Sequence, residues 1–219
     1  MKRQDWMTDA VYAWDLLEEQ SRLRTLKRKQ LGGNRALILV KAQDPLTIPD
    51  GKPGPEYTER LEEALAVKAS LEAKGMKPRF LCVGGVHDES GVSLAEAGRA
   101  WLLAHGVDDF DIETQEVIFS GNDEDRIAAI RFDELGDRYR ELHVVLSAGQ
   151  FERCRMYFIY AGWQPTMHPI TFVDDDPRHH TTRELWGPWA IPAFAEGPAR
   201  IEAETEKIRQ KHLAAANNS

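Results

Sequence analysis

Two arginines, a glycine pair, a run of acids and a small polar turn are the residues of this chain whose types and spacing suit chemistry. Arg60 and Arg153 each fall past an apolar run, at or near the start of a stretch with helical spacing. A guanidinium beside the N–H groups of a helix amino terminus can hold a phosphate or carboxylate bidentately. The competing reading is that each arginine pairs with Glu96 or Glu124 and only braces the fold. Gly84 and Gly85 either let a ligand approach the backbone closely or simply form a turn. Glu96 is either a carboxylate at a ligand edge or the partner of Ser93 in a capping box, because Ser93-Leu94-Ala95-Glu96 has that spacing. Asn122, Asp123, Glu124 and Asp125 offer oxygen ligands for a metal or hydroxyl partners for a ribose; equally, they suit the amino-terminal turn of a helix. Ser147 opens the turn Ser147-Ala148-Gly149-Gln150 and is a nucleophile only with a base beside it. His87 and His143 are the bases nearest in sequence, but His143 sits inside an apolar run and reads as packed.

No catalytic residue is assigned, and no metal site is expected. Asp174-Asp175-Asp176 with His179-His180 has metal-ligand types but no repeated ligand spacing, so it reads as a solvated loop. Trp186 and Trp189 either stack on a planar ligand or pin the tail to the core.

These residues need elements to position them. Residues 142–162, LHVVLSAGQFERCRMYFIYAG, begin as a strand-like apolar run and pass through the polar turn. They continue with Phe151, Cys154, Tyr157 or Phe158, and Ala161 at helical spacing, and Gly162 is the expected stop. A buried strand feeding a helix through a tight turn is half of a βαβ unit, and in such sheets ligands gather at the carboxyl ends of the strands.

Upstream, residues 5 to about 30 read as a helix, with Met7, Val11 and Trp14 on one face. Its end carries Arg22, Arg24, Lys27, Arg28 and Lys29, which either meet an acidic group or complement the helix dipole. Residues 36–40 form a short continuous apolar run, the signature of a strand covered on both faces. A Pro- and Gly-rich loop follows to Pro55 and is long for a βα connection. Helices are expected at 57–74, 93–105 and from 122 to about 140, and strands at 79–83, within 111–119 and at 169–173, with Gly75 and Gly106 as helix stops. A closing helix is expected at 198–212.

The chain has 219 residues, 42% hydrophobic and 29% charged, which suits one folded core. A net charge of −8 argues against a general nucleic-acid binder, although a local pocket can still be positive. Cys82 and Cys154 sit in apolar surroundings and read as core residues in a reducing, cytoplasmic setting. No apolar run approaches the ~20 residues of a membrane span, and the amino terminus lacks the apolar segment of a secretory signal.

The series Arg60-Leu61, Gly84-Gly85, Glu96-Ala97, Gly106-Val107, Asn122-Asp123-Glu124-Asp125, Ser147 and Arg153, ending at Gly162, resembles the YdcF/SanA/ElyC family over roughly residues 36–173. The order and spacing of the pieces carry the resemblance, not any one motif. It implies a Rossmann-like α/β domain. It implies S-adenosylmethionine as a candidate ligand, since a member of the family is associated with binding it, and it implies a link to cell-envelope functions. The chain departs from the family pattern at several places. Val83 replaces a serine, Asp123 a threonine, Asp125 an asparagine and Gln150 a histidine, while Lys41-Ala42-Gln43 stands where the family is glycine-rich. Glutamine does not titrate, so a general base at that turn is not expected to carry over.

The expected architecture is therefore a three-layer α/β sandwich around a mostly parallel, Rossmann-like sheet of about five strands. An amino-terminal helix (1–33), the α/β domain (34–175) and a carboxyl-terminal helical extension (176–219) make up the chain. The expected ligand set is Arg60, Gly84, Gly85, Glu96, Asn122, Glu124, Ser147, Gln150 and Arg153. Arg60 or Arg153 would meet an anionic group, and Glu96 or Glu124 a ribose. The expected partner is a nucleotide-like or phosphorylated small molecule, with no nucleic acid and no membrane. A non-catalytic envelope-related or regulatory factor, and an enzyme acting on a phosphate or glycan intermediate, are the alternatives.

Overall fold

In the computed structural model, residues 3–30, 33–42, 46–47, 50–85, 91–116, 128–129, 131 and 138–170 are described. The run read as a two-sided strand is β1, Arg35–Lys41, and residues 36 to 40 are all fully buried. Ala36, Ile38 and Val40 face one core, and Leu37 and Leu39 the other. Removing each of these large aliphatic side chains from water contributes about 1.5–3 kcal/mol, which is why β1 sits in the middle. Lys77–Val83 (β4) pairs with it in parallel on one side and Glu141–Ser147 (β6) on the other. Ile112–Gln115 (β5) and Thr166–Ile170 (β7) form the two edges, giving a five-stranded sheet in the order β5-β4-β1-β6-β7. All its pairings are parallel, as a sheet with helical crossovers requires.

The first face is covered by α2, Pro55–Ala73, and α3, Leu94–Ala104. Helix α2 starts on Gly54 with Pro55 in its first turn, where a missing N–H costs nothing. Helix α3 starts on Ser93, whose Oγ accepts from the Glu96 N–H at 3.1 Å. The second face holds the helical residues 128 and 129 and α4, Phe151–Tyr160, with Cys154, Phe158 and Trp163 fully buried. Gly162, at φ +85°, ends α4 as expected and lets the Trp163 N–H reach back to Phe158 O at 2.8 Å. Beyond α4 lies α1, Arg3–Gln30.

Two expectations are corrected. The strand expected at 169–173 lies at Thr166–Ile170, because pairing with β6 sets its register (His143 beside Thr166, Ser147 beside Ile170). Its burial is only partial, and Pro169 is tolerated there because the strand is an edge. The long loop after β1 contains a two-stranded antiparallel ribbon, Leu46–Thr47 (β2) with Lys52–Pro53 (β3), too short to leave a periodic signal. The closing helix at 198–212, Trp186, Trp189, His179, His180, Asp174–176 and most of the helix from 122 lie outside the described residues.

Helices α2 and α3 approach closely at Gly98. A β-carbon there would fall 2.1 Å from Tyr57 Oη, which is buried and donates to Leu94 O at 3.0 Å. Gly98→Ala is therefore expected to lower stability by about 1–3 kcal/mol in denaturant titration. In a Tyr57→Phe background the added cost should shrink, because the atom in the way is gone. Equal costs in the two backgrounds would disprove this contact.

Candidate functional site

The sheet order decides where a ligand can enter. From β1 the chain crosses through α2 to β4 and on to β5, then returns to the other side of β1 for β6 and β7. The connections above β1 and β6 thus lead away in opposite directions. In open parallel sheets the crevice lies at this switch point, outside the carboxyl ends of the two strands. Lys41 ends β1 there and Ser147 ends β6, followed by the 3-10 turn Ala148–Gln150 and the amino terminus of α4.

The sequence-derived candidates distribute unevenly around this point. Ser147 is 5% exposed and stands at the cap position of the turn without a side-chain cap hydrogen bond. Gln150 precedes α4, also without a side-chain cap, and its Oε1 is buried with no hydrogen-bond partner among the described residues. Arg153 lies in the first turn of α4 by its backbone, and its side chain lies outside what is described. Asn122 and Glu124 lie outside the described residues altogether.

Arg60 is completely buried. Its Nη1 donates to the carbonyls of Lys41 and Ala42, at 2.8 and 2.7 Å, so it grips the end of β1 from beneath. Gly84 lies beside that strand end. A β-carbon on it would fall 2.6 Å from both Ala42 Cβ and Leu94 Cβ, so its smallness serves the packing of β4 against β1 and α3. Its N–H donates to Gln115 O, and the Gly85 carbonyl accepts from the Leu94 N–H, which ties the turn to the start of α3. Glu96 sits further out, toward β5. Its Oε1 accepts from Thr114 Oγ1 at 2.9 Å and its Oε2 from Arg99 Nη1 at 3.3 Å, with 42% of the side chain exposed. The structure thus brings Arg60, Gly84 and Gly85 to the ends of β1 and β4, puts Ser147 and Gln150 at the end of β6, and leaves Glu96 over the β5 side.

Sequence reasoning did not single out Lys41, which is fully buried at the end of the central strand. The signal was present as a cation closing an otherwise apolar strand, ALILVK, where a charge is rarely buried without purpose. Cys82 is not reactive. Burial, and then the Glu96 carboxylate, push its thiol up to about 12.

A second polar cluster lies on the α2 face, toward the amino-terminal half of β6. His143 Nδ1 meets His168 Nε2 at 3.1 Å, and the rings' other nitrogens lie 3.4 Å from Glu141 and 3.6 Å from Glu63. Burial, then the facing His168, bring His143 down to about 4; burial also lowers His168. Among the described residues no group of three or more His, Cys, Asp or Glu side chains is arranged to hold a metal.

Compared with known proteins, the chain matches no family model, and no curated protein matches it significantly.

Two measurements check these placements. Arg60→Ala removes the donor from two strand-end carbonyls, and should destabilise the protein by about 2–4 kcal/mol in denaturant titration; a near-neutral effect would show that the clamp does not matter. The His143 ring is held neutral in the fold but takes up a proton below about pH 6.5 when unfolded. Its contribution is therefore constant above that pH and is lost as pH falls toward 4, by roughly 1–3 kcal/mol. The thermal midpoint of His143→Leu should fall less than that of the native chain over this window. Parallel pH profiles would refute the assignment.

Proposed function

We propose that the chain binds a nucleotide-like or phosphorylated small molecule across the carboxyl ends of β1 and β6. One observation carries this reading: the switch point of the sheet holds an acceptor, Gln150 Oε1, that is buried and unpartnered among the described residues, beside the nearly buried Ser147 hydroxyl. Leaving such an acceptor unpaired costs about 1–3 kcal/mol, and a ligand donor would recover it. The first-turn N–H groups of α4 favour an anionic group at the same place, and the Lys41 ammonium adds positive potential from below. Glu96, part-exposed and held by Thr114 and Arg99, suits a ribose hydroxyl at the outer side.

S-adenosylmethionine is the first compound to test, on the strength of the resemblance to the YdcF/SanA/ElyC family. Its carboxylate would suit the α4 amino terminus and Arg153, and its adenosine hydroxyls would suit Glu96. Adenine nucleotides and sugar phosphates present the same pairing of anion and hydroxyls. No catalytic step is assigned to these residues.

Thermal denaturation with S-adenosylmethionine, adenine nucleotides and sugar phosphates tests the proposal. A compound at a hundred times its Kd should stabilise the fold by about 2.7 kcal/mol. Gln150→Leu should abolish that shift while leaving the ligand-free protein as stable as before, because it removes an unpaired acceptor. If no compound moves the midpoint, or if Gln150→Leu binds as well as the native chain, the reading fails.

A further inference from the structure

Helix α1 is built inside out. The face turned to the body is polar: Ser21 and Thr25 are 1% and 8% exposed, and Thr25 Oγ1 accepts from the Gln164 N–H at 2.9 Å. Glu18 pairs with Arg155, and its carbonyl accepts from Gln164 Nε2. Arg24 lies 4.2 Å from the centre of the Trp163 ring and donates to Ala161 O, and Arg28 donates to Tyr139 O. The leucines face the other way. Leu16, Leu23 and Leu26 are 49%, 52% and 43% exposed. Their spacing, i, i+7 and i+10, puts them on one stripe of the 3.5-residue repeat by which two helices pack. Single exposed leucines need no explanation, but three in register on an otherwise charged helix do.

The charges beside the stripe identify what would cover it. Between residues 15 and 20 the helix carries Asp15, Glu18 and Glu19 and no cation; between 21 and 30 it carries Arg22, Arg24, Lys27, Arg28 and Lys29 and no acid. The change of sign falls between Glu19 and Arg22, and the middle of the leucine stripe falls at residue 21. A two-fold axis through that point matches both patterns together. It sets Leu16 against Leu26 of the partner subunit and the acidic half of each helix against the basic half of the other. A parallel pairing would set like charge on like charge. Such agreement between apolar register and charge register is what an isologous interface requires.

We infer that α1 is a self-association surface, and that two copies of this chain pair through antiparallel α1 helices about a two-fold axis near residue 21. At 28 residues, α1 is about 42 Å long, enough to support such a seam. The sheet edge proposed to take a small molecule is not part of it, so the two readings stand or fall separately.

Analytical ultracentrifugation of the full chain over a concentration series should show a monomer–dimer equilibrium. Leu16→Glu/Leu26→Glu should sediment as a monomer with its circular dichroism and thermal midpoint in dilute solution retained, because these side chains are exposed in the single chain. Geometry is tested separately with introduced cysteines, since Cys82 and Cys154 are both buried. Asp15→Cys mixed with Lys27→Cys should give a disulfide-linked heterodimer, and Asp15→Cys alone should not. A native chain that is monomeric at all concentrations, a dimer that survives the leucine substitutions, or efficient cross-linking of Asp15→Cys to itself would each overturn the inference.

Discussion

A strand buried on both faces has no water for its backbone, so where it stops, its last carbonyls need donors. At the end of β1 that donor is a guanidinium. Arg60, itself fully buried, meets the carbonyls of Lys41 and Ala42, while the Ala42 N–H continues the ladder to Val83 O at 3.0 Å. The contact fixes three things at once. It sets the length of the central strand, it ties α2 to the carboxyl edge of the sheet, and it fixes the floor on which the β1–β4 turns rest. Gly84 then packs against Ala42 and Leu94 with no room for a side chain, and α3 begins from that point. The ends of β1 and β4 are in this way rigid, and the less satisfied polar groups are found across the switch point, at the end of β6.

Much of this fold is legible in the sequence because the elements announce themselves locally. The five apolar residues of β1 have no polar face to turn outward, so they read as a central strand and are one. Gly162 reads as a stop because only a residue at positive φ closes that turn. The Ser93 cap is likewise a matter of four consecutive residues. What was not legible depends on partners far along the chain. Residues 166–170 have weak strand character and become a strand because β6 offers its open edge. The reversal of strand order on either side of β1, which locates the crevice, is a property of pairing and leaves no mark on one sequence.

The candidate site shows the same division. Ser147 and Gln150 were found because a polar turn between an apolar strand and a helix is visible as composition. Arg60 was found for its position near a helix start, but not its direction: the guanidinium turns inward to the strand end, and nothing in the local sequence distinguishes that from turning outward. Lys41 was passed over because a cation after an apolar run usually marks the return to solvent. Here the crossover elements close over it. The polar inner face of α1 is the strongest departure from the usual amphipathic pattern. Its partners, Gln164, Ala161, Tyr139 and Arg155, lie more than a hundred residues away, and without them Ser21 and Thr25 read as surface.

The two thiols divide the molecule in a useful way. Cys82 lies in the core between the sheet and α2 and α3, and Cys154 in the core on the opposite face, both without any exposed surface. Neither can meet an alkylating reagent, an oxidant or the other while the sheet keeps both its coverings. Each cysteine is consequently a reporter for one layer: modification of Cys82 records the lifting of α2 and α3, and that of Cys154 the lifting of α4. The order in which they react tells which side of the sandwich parts first.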